Sequence, residues 1–462
     1  MSNVGVPFVH VIGKDGSTSV AGIQSRAVSD GTGTRLVPAA DEGRKIRLLV
    51  FTSLYPNAAQ PHHGIFVEER LRHLVGSGRI AATVVAPVPW FPFRHPRFGA
   101  YATFARVPER EERYGIRILH PRYPVIPKVG MNVASLLMYR ALLPRLRKLM
   151  TEGTPFDLID AHYLYPDGVA AARLGVAVNK PVVITARGSD VNVLPQYRSP
   201  AWQIRWAAAQ AAAVVTVSAA LKDRVTALRV APDKVVVLRN GVDLECFKPL
   251  DRIAIRGELG LTGPVWLAAG HLVELKGVHL TLAALAETTS VTLMIAGEGP
   301  EEGRLRQLAG RLGVSSRVRF LGAVPHEELC RYYNAADAMV LASSREGMPN
   351  VVLESLACGT PVVAAPFESA TELISVPETG EIAESRTAEA IASAWRRLQA
   401  RQTERATTRR FAERLGWAPV VKEQCALYAH VVKAARVAEA AMIVTADTRQ
   451  IKVSDQPDRR AK

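Results

Sequence analysis

Residues 338–365 read AMVLASSREGMPNVVLESLACGTPVVAA. Two short apolar runs, Ala338–Leu341 and Val362–Ala365, flank a segment with Pro349 near the start of a predicted helix and Gly359, Thr360 and Pro361 just past its end. Proline suits the first turn of a helix and glycine the residue after its last turn, so the stretch reads strand, loop, helix, strand. Glu346 falls at the carboxyl end of the first strand, and Glu354 lies about one turn past the helix start. In an open parallel sheet, ligands bind in the crevice outside the carboxyl ends of the strands, which sets both carboxylates beside a candidate site.

The same alternation repeats outward from this unit. In the second half, VWLAAG (265–270), VTLMIAG (291–297) and VRFLG (318–322) alternate with helical periods over 278–286, 301–312 and 326–334, and TGEIA (379–383) with a helix over 388–399 closes the set. In the first half, IRLLVFTS (46–53), ATVVAP (82–87), IRILH (116–120), FDLIDA (156–161), PVVIT (181–185), VVTVS (214–218) and VVVL (235–238) alternate with helices over 65–75, 132–150, 167–175, 201–212 and 219–228. Residues 88–115, rich in Pro, Arg and aromatics, read as irregular. Strand–helix alternation on this scale predicts an α/β chain of two doubly wound, Rossmann-like domains facing a central cleft. The expected divisions are a flexible extension (1–44), a first domain (45–242), a second (243–415), a final helix (416–440) and a flexible charged tail (441–462). RNGVDLECFKPLDR (239–252), with its Asn-Gly and Pro, reads as the linker.

Hydrophobic residues make up 48% of the 462 and charged residues 22%, the balance of a globular chain. No apolar run is long enough to cross a bilayer, and MSNVGVPFVHVIG has neither a basic start nor a sustained apolar core, which points to a cytoplasmic setting. The four cysteines are scattered singly, without disulfide or zinc-ligand spacing, and read as reduced structural thiols. A formal charge of +15 asks for an anionic partner: nucleic acid, a membrane face or phosphorylated small molecules. No nucleic-acid-binding motif accompanies that charge. MNVASLLMYRALLPRLRKLM (131–150) carries four cations and no acid, interrupted at Pro144. It reads either as a helix lying on an anionic membrane or as a domain helix with one solvated basic face.

Three loops at predicted strand ends combine glycines with ionisable residues: GHLVELKG (270–277), GEGP (297–300), which brings Glu298, and SREGMPN (344–350). Lys276 directly precedes a helix, where an ammonium and helix N-termini together favour a diphosphate. In the first half, DLIDAHYLYPDG (157–168) sets His162 just beyond a strand, and TARGSD (185–190) offers Arg187 and Asp190 at the next strand end, as site residues or as loop structure. No DxD pair and no clustered His, Cys, Asp or Glu suggests a metal site.

Over residues 45–438 these features together resemble the retaining glycosyltransferases of the GT-B fold, family 4 or group 1 type, most specifically in the E-x7-E motif from Glu346 to Glu354. The resemblance implies that Glu346 meets the donor sugar's hydroxyls, Glu354 the nucleotide ribose, and the backbone of Gly347, Met348, Pro349 and Asn350 the sugar and phosphate. It makes Lys276 the diphosphate lysine, sets His162 beside the reacting sugar, and sets Gly64, in TSLYPNAAQPHHG (52–64), at the border of donor phosphate and acceptor. It implies a C-terminal helix packing back toward the first domain, and NGVD (240–243) as a hinge.

Two departures stand out. His271 occupies the position of an arginine in relatives, and Glu368 and Ser369 stand where relatives often have Gly-Gly, although Glu372 keeps the expected acid. The implied activity is metal-independent, retaining transfer of a sugar from a nucleotide diphosphate-sugar, used as substrate with no cofactor, to a saccharide or lipid-linked acceptor in polysaccharide or glycolipid assembly. His162, Glu346 and Lys276 form its catalytic set. An epimerase on the same architecture is the nearest alternative, and a nucleic-acid-binding protein a more distant one.

Overall fold

The computed structural model describes residues 44–126, 130–401 and 403–454. Apart from Arg44, the expected extension over 1–44 lies outside these residues, as does the end of the tail from 455 onward.

The first sheet is built from β1 (Ile46–Phe51), β2 (Ile80–Val85), β4 (Arg110–Arg113), β5 (Ile116–Leu119), β7 (Leu158–His162), β8 (Val182–Ala186), β9 (Ala213–Thr216) and β10 (Val235–Val237). A two-stranded ribbon pairs β3 (Val88–Pro89) with β6 (Arg122–Tyr123). The order across the sheet is β10-β9-β8-β7-β1-β2-β5-β4, parallel except for the β4–β5 hairpin at one edge. Strands β1, β7, β8 and β9 read as near-continuous apolar runs because helices cover both of their faces, leaving no solvated side on which polar residues would alternate. One face packs Leu49, Phe51, Ile159, Ala161 and Ile184, and the other Leu48, Val50, Leu158 and Val183.

The second sheet contains β11 (Val265–Ala269), β12 (Thr292–Ala296), β13 (Val318–Gly322), β14 (Ala338–Leu341), β15 (Val362–Ala364) and β16 (Gly380–Ile382), ordered β13-β12-β11-β14-β15-β16 and parallel throughout. Both sheets are thus doubly wound. The order reverses beside β11 and β14, the strands whose following loops carry Lys276 and Glu346.

The final helix, Trp417–Ser454, returns to the first domain, where Cys425, Tyr428, Val431 and Val432 complete the core under Leu48 and Leu158. It continues past residue 440, so the helix–tail boundary expected there falls inside the element. Residues 88–115 are not irregular: they hold β3, β4 and a short helix, Ala100–Arg106. Two further helices, Arg252–Glu258 and Arg405–Glu413, also lie in stretches left unassigned by periodicity.

Pro144 does not interrupt its helix, which runs from Gly130 to Thr151. The proline removes one backbone donor, but it is exposed, and burial of Met138, Leu142 and Leu146 along the opposite stripe holds the helix across it.

Candidate active site

The predicted residues gather where the loops after β11 and β14 meet those after β7 and β8. Lys276 closes a short turn, Glu274–Lys276, ahead of helix Val278–Ala286, and its Nζ lies 2.7 Å from Glu346 Oε1. Glu346 leads into Gly347, which packs against the backbone of Arg187 and Gly188 in the first domain. A Cβ at Gly347 would overlap the Arg187 carbonyl oxygen, so glycine is required there by the approach of the two domains. Met348 and Pro349 are buried beneath the loop, and Pro349 caps helix Asn350–Ala357. Asn350 Oδ1 accepts from Asn240 Nδ2 at 2.8 Å, and Arg187 Nη1 donates to Asn240 Oδ1 at 3.1 Å. Asn240, read from the sequence only as part of a hinge, therefore ties the two halves of the site together.

His162 is 2% exposed. Arg187 Nη2 lies 2.9 Å from its Nδ1, and Asp160 Oδ2 lies 3.3 Å from its Nε2. A guanidinium only donates, so Nδ1 accepts and Nε2 carries the proton toward Asp160. Burial lowers the pKa of His162 against the opposing pull of Asp160, which leaves a neutral imidazole. Both ring nitrogens of the expected sugar-side histidine are thereby engaged within the protein, by Arg187 and Asp160. Burial and the like charge of Arg70 push the Arg187 guanidinium down to about 9, still a cation at neutral pH.

Asp190 is fully buried, and its oxygens accept from the backbone N–H groups of Leu164, Arg187 and Gly188. It holds the loops after β7 and β8 together. Gly64 sits in the left-handed region at φ 72°, where a Cβ would strike the Leu54 carbonyl; its role in shape is to close its own loop. That loop is pinned by Ser53, whose amide and hydroxyl donate to Asp167 at 3.1 and 2.8 Å.

Glu354 is 5% exposed, with Oε1 3.0 Å from His326 Nε2 and Oε2 accepting from the Tyr333 hydroxyl at 2.9 Å. His326 Nδ1 lies 3.1 Å from Glu69 Oε1, on the first-domain helix Ile65–Gly76. Nothing in VPHEEL signals this contact in the sequence. His271 is exposed and makes no side-chain hydrogen bond or ion pair among the described residues. The Glu298 carboxylate accepts from Ala323 N at 3.3 Å, and its carbonyl receives Leu272 N at 2.9 Å.

The loop that departs from the family pattern binds the opposite domain. Glu368 pairs with Arg224 and accepts from Asn192 Nδ2 at 3.2 Å, and Glu372 pairs with Arg239 at 2.8 Å. Glu368, in place of one glycine of that pair, thus gives this chain a domain-to-domain contact, while Ser369 donates to the Glu346 carbonyl within its own domain.

Comparison with known proteins agrees with this geometry. Residues 251–414 match the family described as "Glycosyl transferases group 1", and residues 42–246 match "Glycosyltransferase Family 4". A Bacillus subtilis protein named as a putative teichuronic acid biosynthesis glycosyltransferase, TuaC, is 32% identical over 336 residues, covering 69% of this chain and 80% of that one. In fold, the chain superposes on sucrose-phosphate synthase from Thermosynechococcus elongatus with a TM-score of 0.68 at 20% identity, over 85% of this chain and 100% of that one. It superposes on Anabaena Alr3699/HepE in complex with UDP-glucose with a TM-score of 0.63 at 21% identity, again over 85% and 100%. Two doubly wound domains, the E-x7-E carboxylates at the carboxyl ends of the second sheet and these matches lead to one assignment: the chain belongs to the group 1 glycosyltransferases of the GT-B fold.

Proposed function

We propose that this glycosyltransferase moves a sugar from a nucleoside diphosphate-sugar to an acceptor hydroxyl with retention at the anomeric carbon, in polysaccharide or glycolipid assembly. The observation that carries the reading is the Lys276–Glu346 pair, set beside the Gly347 loop where it abuts Arg187 and Gly188. A cation next to a carboxylate at the switch point of a parallel sheet serves a ligand that is anionic at one end and rich in hydroxyls at the other. Lys276 and the free N–H groups at the start of helices Val278–Ala286 and Asn350–Ala357 are suited to the leaving diphosphate. Glu346 is suited to the sugar hydroxyls and Glu354 to the ribose. With that charge met by the protein, the nucleotide sugar is a substrate and no resident cofactor enters the scheme. The departing phosphate oxygen takes the acceptor proton on the face it leaves, so that protein groups position and stabilise charge and no side chain becomes covalently attached. The UDP-glucose complex of the Anabaena neighbour supports the donor class, and the name of the Bacillus subtilis relative supports a polysaccharide setting.

Thermal shift against UDP, GDP, ADP and their sugars tests the reading, because a ligand that binds only the folded chain raises its melting temperature. One nucleotide series is expected to stabilise the protein. Silence across all three, or conversion of the donor sugar to an epimer without any acceptor present, would sink the proposal.

An anionic membrane face as the acceptor's setting is supported by residues 90–106, which contain Arg94, Arg97 and Arg106 and no acid. Trp90, Phe93 and Tyr101 are exposed there. The helix Gly130–Thr151 spends its apolar stripe on the core, which leaves this aromatic segment as the interfacial element. Among the described residues no helix is long and apolar enough to cross a membrane. Flotation with phosphatidylglycerol vesicles but not phosphatidylcholine vesicles is expected, and equal recovery with both would count against the surface.

A further inference from the structure

His326 stands between two carboxylates that belong to different domains. Its Nε2 is 3.0 Å from Glu354 Oε1 and its Nδ1 is 3.1 Å from Glu69 Oε1, while Phe247 packs edge-on against the ring at 5.0 Å. Above about pH 7, the value to which burial raises Glu69, a carboxylate only accepts, so there both ring nitrogens carry protons and the group is an imidazolium. We propose that His326 is a positioning residue for sugar transfer: bridging Glu69 and Glu354, it fixes the carboxylate that takes the donor ribose and makes that placement depend on the docking of the two domains. The inference rests on the reading of Glu354 as the ribose ligand.

The arrangement leaves Glu354 competent. A carboxylate has about four acceptor positions. His326 and the Tyr333 hydroxyl take one on each oxygen, which leaves one on each for the two hydroxyls of a ribose. Without the histidine, a 6% exposed carboxylate loses a charged partner and, among the described residues, one of the two side-chain contacts that set its rotamer.

Burial alone would lower the pKa of His326, but Glu354, Glu69 and, more weakly, Glu327 overcome it and raise it to about 9. The remaining charged neighbours, Arg72 and Asp243, act on Glu69, which burial pushes up to about 7 against the pull of His326. Of the neighbouring thiols, Cys246 is pushed up to about 11 by burial, and Cys330 is held down to about 6 by its contact with Cys358, so neither titrates near 9. A basic group whose pKa rises on assembly gives its full contribution below its ordinary value near 6.5 and loses it as pH rises through about 9. Donor affinity is therefore expected to hold to about pH 8 and to fall through about pH 9.

The test is the pH dependence of binding of UDP, or of GDP or ADP if thermal shift selects one of those, to the full chain and four variants. His326→Ala should weaken binding about tenfold at pH 7.5, the scale of losing a hydrogen bond to a charged group, with kcat changed less than KM. His326→Gln keeps an N–H donor but cannot titrate, so it should recover part of the affinity and show no limb near pH 9. Glu69→Gln, on the other domain, should move the limb to lower pH, because one of the carboxylates that raise the histidine's pKa is gone. Titration of the nucleotide itself is common to all the proteins and cancels in these comparisons. If Glu354→Gln weakens binding but the His326 and Glu69 variants match the wild type at every pH, the positioning role is overturned while the ribose reading stands. A limb that survives unchanged in His326→Gln overturns it as well. If Glu354→Gln itself binds like the wild type, the ribose reading fails, which is a different result. Melting temperatures of the ligand-free variants identify any that do not fold, and Glu69→Gln keeps the test open if a His326 variant is among them.

Discussion

Alanine at Lys276 is expected to lower sugar transfer by roughly 100- to 1,000-fold, the loss seen when one preorganised charge-stabilising group is removed from an active site. Lys276 is partly exposed, with 26% of its side chain accessible against 12% for Glu346. Ion pairs of that exposure contribute about 0–1 kcal/mol to folding, so the melting temperature should move by only a few degrees. The asymmetry follows from when the lysine matters. In the free enzyme its ammonium has Glu346; in the proposed reaction, charge builds on the diphosphate as the sugar–phosphate bond breaks, and the lysine would meet it in place. Glu346→Gln keeps the shape of the pair without the charge and should fall in the same range, because the carboxylate orients Lys276 and, in the proposed reaction, accepts from the sugar. Steady-state transfer with the donor chosen by thermal shift, read beside melting curves, decides the matter. Either variant working within about threefold of wild type would remove the pair from the chemistry, since 1.4 kcal/mol is already a tenfold effect.

The two-domain α/β architecture was legible because parallel strands buried on both faces leave long apolar runs, and because Pro349 and Gly359 mark the ends of the helix that carries Glu354. Helix Val278–Ala286 fell where its spacing predicts. Strand pairs such as β3–β6 were not legible: two-residue strands have no period, and their pairing across 34 residues depends on the rest of the fold. The helix Arg405–Glu413 was missed because it holds its place through arginines. Arg405 caps the carbonyls of Ala336 and Cys358, and Arg409 those of Phe247 and Ala357. Within the site, the motif residues were visible, but their partners lie far away in sequence. Glu69 is 257 positions from His326, and Asn240 is 110 from Asn350. A pattern reader sees local spacing, whereas the domain-to-domain contacts of Glu368 and Glu372 exist only after docking. Asp160 within FDLIDA is the one sequence signal of a buried charge, whereas Arg70 lies among Glu68, Glu69 and Arg72 and does not stand out. A charge in such a place is tolerated only with a buried partner.

That partnership sets the second large effect, on stability. Asp160→Ala is expected to cost roughly 3–5 kcal/mol, the scale of breaking a buried ion pair from one side. Asp160 is 1% exposed and lies against His162, with Arg70, Arg187 and Tyr428 of the final helix around it. Arg70 is 1% exposed and gives one nitrogen to the carbonyls of Leu238 and Arg239, while its Nε and Nη1 have no hydrogen-bond partner among the described residues. Removing the carboxylate leaves the like charges of Arg70 and Arg187 near a neutral histidine in a low-dielectric interior without the anion that offsets them. Burial alone would raise the pKa of Asp160, but His162, Tyr428 and Arg70 hold it below the ordinary carboxylate value. A carboxylate lowered in the folded state stabilises above its unfolded pKa near 3.9 and loses that contribution as pH falls through the folded value, so the deficit should be flat from pH 6 to 8 and shrink only in strong acid. Replacing Arg70 by Met as well should recover part of the loss, because the uncompensated cation leaves with it; a coupling of about 1–3 kcal/mol between the two substitutions is expected from urea unfolding. Simple additivity, or a single-variant cost below about 1 kcal/mol, would mean that water reaches Asp160 and that the charges beneath His162 are solvated rather than paired.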